Sequence, residues 1–360
     1  MERVVRCRTR GGQVMKSYLK FLACSCVVLY ALSGVVHSQA EPKKLTVFEA
    51  SRLFLYIPLY FAVDKGYFQR EQLDVTIFTA GRRDLAMKAV ITGDAFASLH
   101  DPIEAALARS RGADVKIIAP VVNAAANWLV ADQDITDDVR TWQGKSIALA
   151  TPPNTQDSMF KKELRERGWG EVDRTTYKLK NDDDPSHYLK ILYGAFGTDL
   201  VLMMNGQANM ALTIEPGAST LVLKNNKHVI LDYPTLMPAG MLFSSINVLG
   251  DTIRQDPVTV QKFVTALTKA YRDAYNNPSE LAAVAIKWFP NADPEVVQAA
   301  TKNMIRAKAF SPNTMFTKAG YQQNTEYFAF GQPDSPALKV KWEDIADTSF
   351  AERASKELGK

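Results

Sequence analysis

Three features of the sequence predict an α/β fold with a mainly parallel sheet covered on both faces. Strand-like and helix-like segments alternate from Lys44 to Val122. A second run of the same kind begins at Gly144, and after Asp256 the chain turns strongly helical. Such alternation places helices against a parallel sheet. With 360 residues, 46% hydrophobic and 23% charged, the chain suits one large or two medium globular domains.

The first run reads as strand "KLTVFEA", helix "YIPLYFAVDKGYF", strand "LDVTIFTA", helix "RRDLAMKAVITGD", strand "AFASL", helix "DPIEAALARSRG" and strand "VKIIAPVV". Gly66 is expected to take the positive φ that stops the first helix, with Tyr67 and Phe68 packing back over its end. The second run reads as strand "GKSIALA", helix "DSMFKKELRERG", a helix within "PSHYLKILYGAF", and strands "MALTI" and "KHVILDY". In the final segment Val260, Phe263, Val264, Leu267, Tyr271 and Ala274 fall on one helical face, with Asp256-Pro257 as cap and first turn.

Residues 1–40 stand apart. A basic start, the 16-residue apolar run "FLACSCVVLYALSGVV" and the small residues of "HSQA" read as a secretory signal cut after Ala40. Met15 is an alternative start. The run falls short of the roughly 20 residues of a membrane span, and an uncleaved anchor or a lipoprotein cut before Cys24 or Cys26 are the alternatives. Of the 43 Lys/Arg and 39 Asp/Glu, six and one lie in this segment, leaving 37 basic and 38 acidic residues beyond it. That neutral balance leaves no basic footprint for nucleic acid or an anionic membrane.

All three cysteines, Cys7, Cys24 and Cys26, fall in the same segment, so no disulfide, thiolate site or cysteine nucleophile is expected after it. His100, His187 and His228 show no metal-ligand spacing, and no GxSxG, Walker or GxGxxG motif occurs. No metal, cofactor or catalytic group is expected.

Four stretches in order, "PLYFAVDKGYFQREQLDVTIF", "AVITGDAFASLHDPIEAALARSRGADVKIIAPV", "ITDDVRTWQGKSIALATPPN" and "MMNGQANMALTIEP", resemble periplasmic solute-binding proteins of the nitrate, sulfonate, taurine and thiamine-pyrimidine-precursor group. Gln72 stands where a glycine is usual, Thr141-Trp142 replace Asp-Leu, and Asn209 replaces an aspartate. The resemblance implies a type II periplasmic binding protein: two α/β lobes around a ligand cleft, joined by a two-crossing hinge. Lobe one would comprise 44–131 and 236–360, lobe two 141–232, with crossings near 131–140 and 233–245. The implied role is a monomeric periplasmic component that captures a small organic solute for an ABC permease in the inner membrane. A periplasmic sensor for a membrane receptor, or an enzyme on the same fold, are the other classes.

In open α/β sheets ligands bind beyond the carboxyl ends of the strands, which selects a short set of candidates. Ser51, Arg52 and Tyr56 follow the first strand, Arg52 able to pair with an anion and Tyr56 to stack on a ring. His100 and Asp101 follow the third, although Asp101 before Pro102 is also a helix cap. Asn123 ends the fourth. In the loop "TPPNTQDS", Asn154, Thr155 and Gln156 are neutral hydrogen-bonding partners, while Asp157 is expected to occupy the helix amides itself. Glu215, before Pro216, is the sharpest candidate for a charged contact. Acceptors outnumber cations in this set, which favours a neutral or amine-bearing ligand.

Overall fold

The computed structural model describes residues 41–152, 154–237 and 240–359. The first sheet is built outward from β1 (Lys43–Glu49), parallel to β2 (Leu73–Thr79) on one side and to β3 (Ala97–His100) on the other. Helix α1 (Ile57–Asp64) connects β1 towards β2 and ends at Gly66, whose φ of +71° reverses the chain. Phe68 is then fully buried, its ring 4.9 Å from that of Phe263. Gln72 adopts φ +59°, the left-handed conformation that glycine takes without cost.

The sheet is completed by β4 (Val115–Val122) at its edge and by β12 (Ser244–Leu249), in the order β2-β1-β3-β12-β4. Pro120 sits in β4, where an edge strand tolerates its missing donor. The second sheet comprises β5 (Trp128–Ala131), β6 (Ser146–Ala150), β7 (Trp169–Asp173), β8 (Thr176–Leu179), β9 (Leu189–Gly194), β10 (Met210–Thr213) and β11 (His228–Asp232). Its order is β11-β5-β10-β6-β9-β8-β7.

Both sheets are mixed rather than mainly parallel. β12 runs antiparallel to β3 and β4, and β5 antiparallel to β10 and β11. The cause is where the chain crosses. β4 ends at the carboxyl edge of the first sheet, so the next strand enters the second sheet from its carboxyl edge and must run backwards. β11 and β12 repeat this in the other direction.

β5 belongs to the second sheet, so the first crossing is residues 123–127 and not 131–140. The segment "PSHYLKILYGAF" forms a strand instead of a helix. Leu189 and Ile191 point into the core while Lys190 is exposed, a period of two, and the strand pairs residue by residue with Ser146–Ala150. The antiparallel β7–β8 pair was not anticipated.

Helix α2 (Arg83–Ile91) and helix α3 (Pro102–Ser110) complete the first run; α4 (Thr155–Glu166), α5 (Thr198–Met204) and α6 (Gly217–Lys224) serve the second. In α7 (Pro257–Asn276) the six expected apolar residues are all buried, and the helix packs on α1. α8 (Pro278–Trp288) also packs on α1. The next two helices depart from the expected division of the chain. Helix α9 (Pro294–Arg306) packs on α6, with Val297, Ala300 and Met304 in one apolar cluster with Ala211, Ala218 and Leu221. Helix α10 (Lys318–Gly331) packs on α4 and places Tyr327 with Trp142 and Phe160. Residues after 236 therefore cover the second sheet as well as the first.

Replacing the exposed Gln72 by glycine removes a left-handed penalty of roughly 1–2 kcal/mol for a non-glycine residue, offset by about 0.5–1 kcal/mol of extra chain entropy. Gln72→Gly is expected to raise the urea midpoint slightly, by up to about 1 kcal/mol in unfolding free energy. A clear loss of stability would contradict this reading of the turn.

Candidate ligand-binding site

A cavity of about 270 Å³ opens at the carboxyl ends of β1, β3, β6, β9 and β10. Ser51 and Tyr56 line it from the loop after β1, His100 and Asp101 from the end of β3, and Asn154, Thr155 and Gln156 from the start of α4. Its apolar wall includes Leu53, Phe196, Ile214 and Phe243. Arg83, at the start of α2, is its cation and lies 3.6 Å from the Glu104 carboxylate. A second cavity of about 190 Å³ adjoins it and shares Leu53, Gln156, Phe196 and Ile214.

The polar groups around the main cavity are largely committed to the protein. Asp101 caps α3, accepting the Ile103 amide at 3.0 Å, and its other oxygen accepts the Thr155 hydroxyl at 2.8 Å. Burial pushes its carboxyl above the usual range. The Asp101–Thr155 bond joins a loop of the first sheet to a helix of the second. Asn154 caps α4: its Oδ1 accepts the Asp157 amide at 2.9 Å, and its Nδ2 donates to the carbonyls of Ala150 and Thr151, both at 3.0 Å. Tyr56 is buried, which pushes its phenol well above the ordinary value.

His100 is 1% exposed. Its Nδ1 lies 3.0 Å from the Asp101 carbonyl, and a carbonyl only accepts, so Nδ1 carries the proton and Nε2 the lone pair. Nε2 has no hydrogen-bonding partner among the described residues. Burial lowers the ring's pKa from 6.5 to about 4, which keeps it uncharged at neutral pH.

Asp157, Arg52, Glu215 and Asn123 sit differently from their expected places. Asp157 leaves the α4 amides to Asn154; its carboxylate accepts the Tyr193 hydroxyl and lies 3.2 Å from Lys161. Arg52 lines the adjoining cavity, where its Nε donates to Glu49 at 3.2 Å and its guanidinium lies 5.1 Å from the Trp288 ring. Glu49 is fully buried and also accepts the Thr79 and Tyr60 hydroxyls.

Glu215 lines the adjoining cavity but is 1% exposed. It accepts the Ser219 amide at 3.0 Å, the Ser219 hydroxyl at 2.9 Å and the Asn303 amide at 2.6 Å. Burial raises its pKa. Asn123 lines neither cavity. Its backbone ties the first crossing to Ala309 and Met241, and its side chain donates to the Met315 carbonyl at 3.4 Å.

Arg83, Phe196, Ile214 and Phe243 were not anticipated. Arg83 reads as one more basic residue of a helix, and Phe196 lay in the segment taken for a helix. The signal for Phe196 was present in the period-two pattern of Leu189 to Tyr193, which makes the residues after Gly194 a loop beyond a strand's carboxyl end.

Two mixed sheets with a cavity at their facing carboxyl edges define a binding-protein architecture. Residues 54–281 match the family described as NMT1/THI5 like, and the chain belongs to that family. It is 21% identical over 303 residues to YtlA of Bacillus subtilis (strain 168), covering 83% of this chain and 86% of that one. Among solved structures, a protein of Bordetella bronchiseptica RB50 superposes with a TM-score of 0.67 at 19% identity, covering 88% of this chain and 98% of that one. The periplasmic aliphatic sulphonate binding protein SsuA from Escherichia coli superposes with a TM-score of 0.64 at 14% identity, covering 86% and 93%. At these identities the superpositions establish the fold.

Two expectations follow from the site's buried groups. Glu215→Ala strands the Ser219 and Asn303 donors and should lower unfolding free energy without ligand by about 2–4 kcal/mol; no change in denaturant midpoint would place Glu215 outside that network. His100 binds its proton more weakly when folded than when unfolded. Its neutral form is therefore fully compatible with folding above about pH 6.5, and stability falls as the pH drops from there towards 4. His100→Gln should lose less stability than the wild type between pH 7 and pH 5 in parallel urea titrations, and equal losses would refute a buried neutral histidine.

Proposed function

We propose that this protein is the solute-binding component of an ABC importer. The observation that carries the reading is the cavity itself, walled on one side by loops of the first sheet and on the other by α4 and the loops of the second. Ligands of open α/β sheets bind at this edge, and SsuA, which shares the fold, is by its description a periplasmic binding protein. The chain would be exported, cut after Ala40 in a segment outside the described residues, and act as a monomer in the periplasm with a membrane permease as partner.

Capture would proceed by closure. One lobe is the first sheet with its helices, the other the sheet of residues 128–232, and they turn about the crossings at 123–127 and 233–243. A ligand favours the closed form only through contacts made in that form. The Asp101–Thr155 bond spans the two sides and belongs to the closed arrangement.

Purified residues 41–360, screened by thermal unfolding against a library of small anions, amines, amides and heterocycles, test the reading. A compound at a hundred times its dissociation constant should stabilise by about 2.7 kcal/mol. Failure of every compound class would remove the solute-binding role. Intact-mass measurement on periplasmic protein checks the cut after Ala40 independently.

A further inference from the structure

Gln156 offers the cavities an unspent acceptor. It lines both cavities and is 7% exposed. Its Nε2 donates to Asn127 Oδ1 at 2.7 Å and to the Leu212 carbonyl at 3.3 Å. The Leu212 carbonyl cannot donate, so it fixes which end of the Gln156 amide faces it. Asn127 is fully buried, and its own amide nitrogen is turned to the Met159 sulfur, which leaves Oδ1 as the acceptor. Both hydrogens of the Gln156 amide are thereby used, and its carbonyl oxygen is the polar atom left for whatever fills the cavities.

His100 does not add a second one: Nδ1 donates to the Asp101 carbonyl, and the Nε2 lone pair is buried. Two donors of the α4 start are occupied: Thr155 on Asp101, and Asn154 on the Ala150 and Thr151 carbonyls. The cation Arg83 is matched by Glu104. Asp101, the cavity's carboxylate, accepts from Ile103 and Thr155.

Resting on the solute-binding reading, we infer that Gln156 selects a compact solute that presents an N–H or O–H donor on an otherwise apolar body, such as a primary amide. A buried acceptor that meets a ligand lacking a donor is left unpaired, and that penalty is the basis of discrimination. The cavity's size, just under the lower end of the usual range for ligand pockets of roughly 300–1,000 Å³, keeps the solute small.

The test compares matched triples on one apolar body, a primary amide, its methyl ester and its carboxylate, with benzamide, methyl benzoate and benzoate as the first set. Thermal unfolding and calorimetry of residues 41–360 should show the amide of at least one set binding roughly tenfold or more tightly than its ester. Gln156→Met should remove most of that preference while leaving ester binding near its wild-type level. The amide and ester comparison on the wild type stands even if the variant does not fold. Esters or carboxylates binding as well as amides would overturn the inference, as would an unchanged preference in a folded Gln156→Met. If donor-free compounds from the wider library bind and no amide does, the inference fails and the solute-binding reading survives. If nothing in either set binds, the solute-binding reading falls and the inference with it.

Discussion

The structure depends on where the chain is allowed to cross. Both crossings leave one sheet at its carboxyl edge and enter the other at the same edge, as β4 to β5 and β11 to β12 show. That constraint reverses the entering strand in each sheet, and in the second sheet β8 adds a further antiparallel strand between β7 and β9. The crossings also bring the loops that follow β1, β3, β6, β9 and β10 to face one another. Asn123, a residue that looks like a ligand contact, is used instead to anchor the first crossing to Ala309 and Met241.

Buried carboxylates show how the same edge is held together. Glu49, Asp101 and Glu215 all lie at or near strand ends, and each is paired within the protein. Glu49 takes Arg52 and two hydroxyls; Asp101 takes the α3 amide and Thr155; Glu215 takes Ser219 and Asn303. A buried charge without partners is costly, and here local geometry supplies the partners. The acidic look of the cleft in the sequence therefore does not reach the cavity as free charge.

Much of the fold was legible because it is local. The 3.6-residue pattern of Val260, Phe263, Val264 and Leu267 marks α7, and Gly66 marks the end of α1, since each effect needs only neighbouring residues. The sheet directions were not legible, because parallel and antiparallel strands carry the same apolar pattern and the difference lies in the crossings. The packing of α9 and α10 on the second sheet was hidden for the same reason: Val297 and Met304 announce a buried face without saying against what. In the site, the loops were legible from strand ends, which placed Ser51, Tyr56, His100 and Gln156. Whether a polar side chain is spent or available was not, since that depends on partners such as Asn303 for Glu215, 88 positions away in the chain.

Helix α9 sets the mechanical terms on which the two sheets can move. Its apolar face is buried with Ala211, Ala218 and Leu221 of the second sheet's side, while α8, packed next to it, rests on α1 of the first. Outside that contact, Arg306 pairs with Asp232 at 2.6 Å and Lys224 with Asp293 at 3.1 Å. Those surface pairs are each worth little in water. The apolar contact and the buried Glu215–Asn303 bond are not, because separating them uncovers apolar surface and takes one partner from a buried carboxylate. Any rotation of one sheet against the other would therefore carry α9 with the second sheet and take up part of the displacement between α8 and α9, where the five residues Phe289, Pro290, Asn291, Ala292 and Asp293 turn the chain. That turn lies on the flank of the cavity, where Phe289 joins Arg52 and Glu215 in the adjoining chamber.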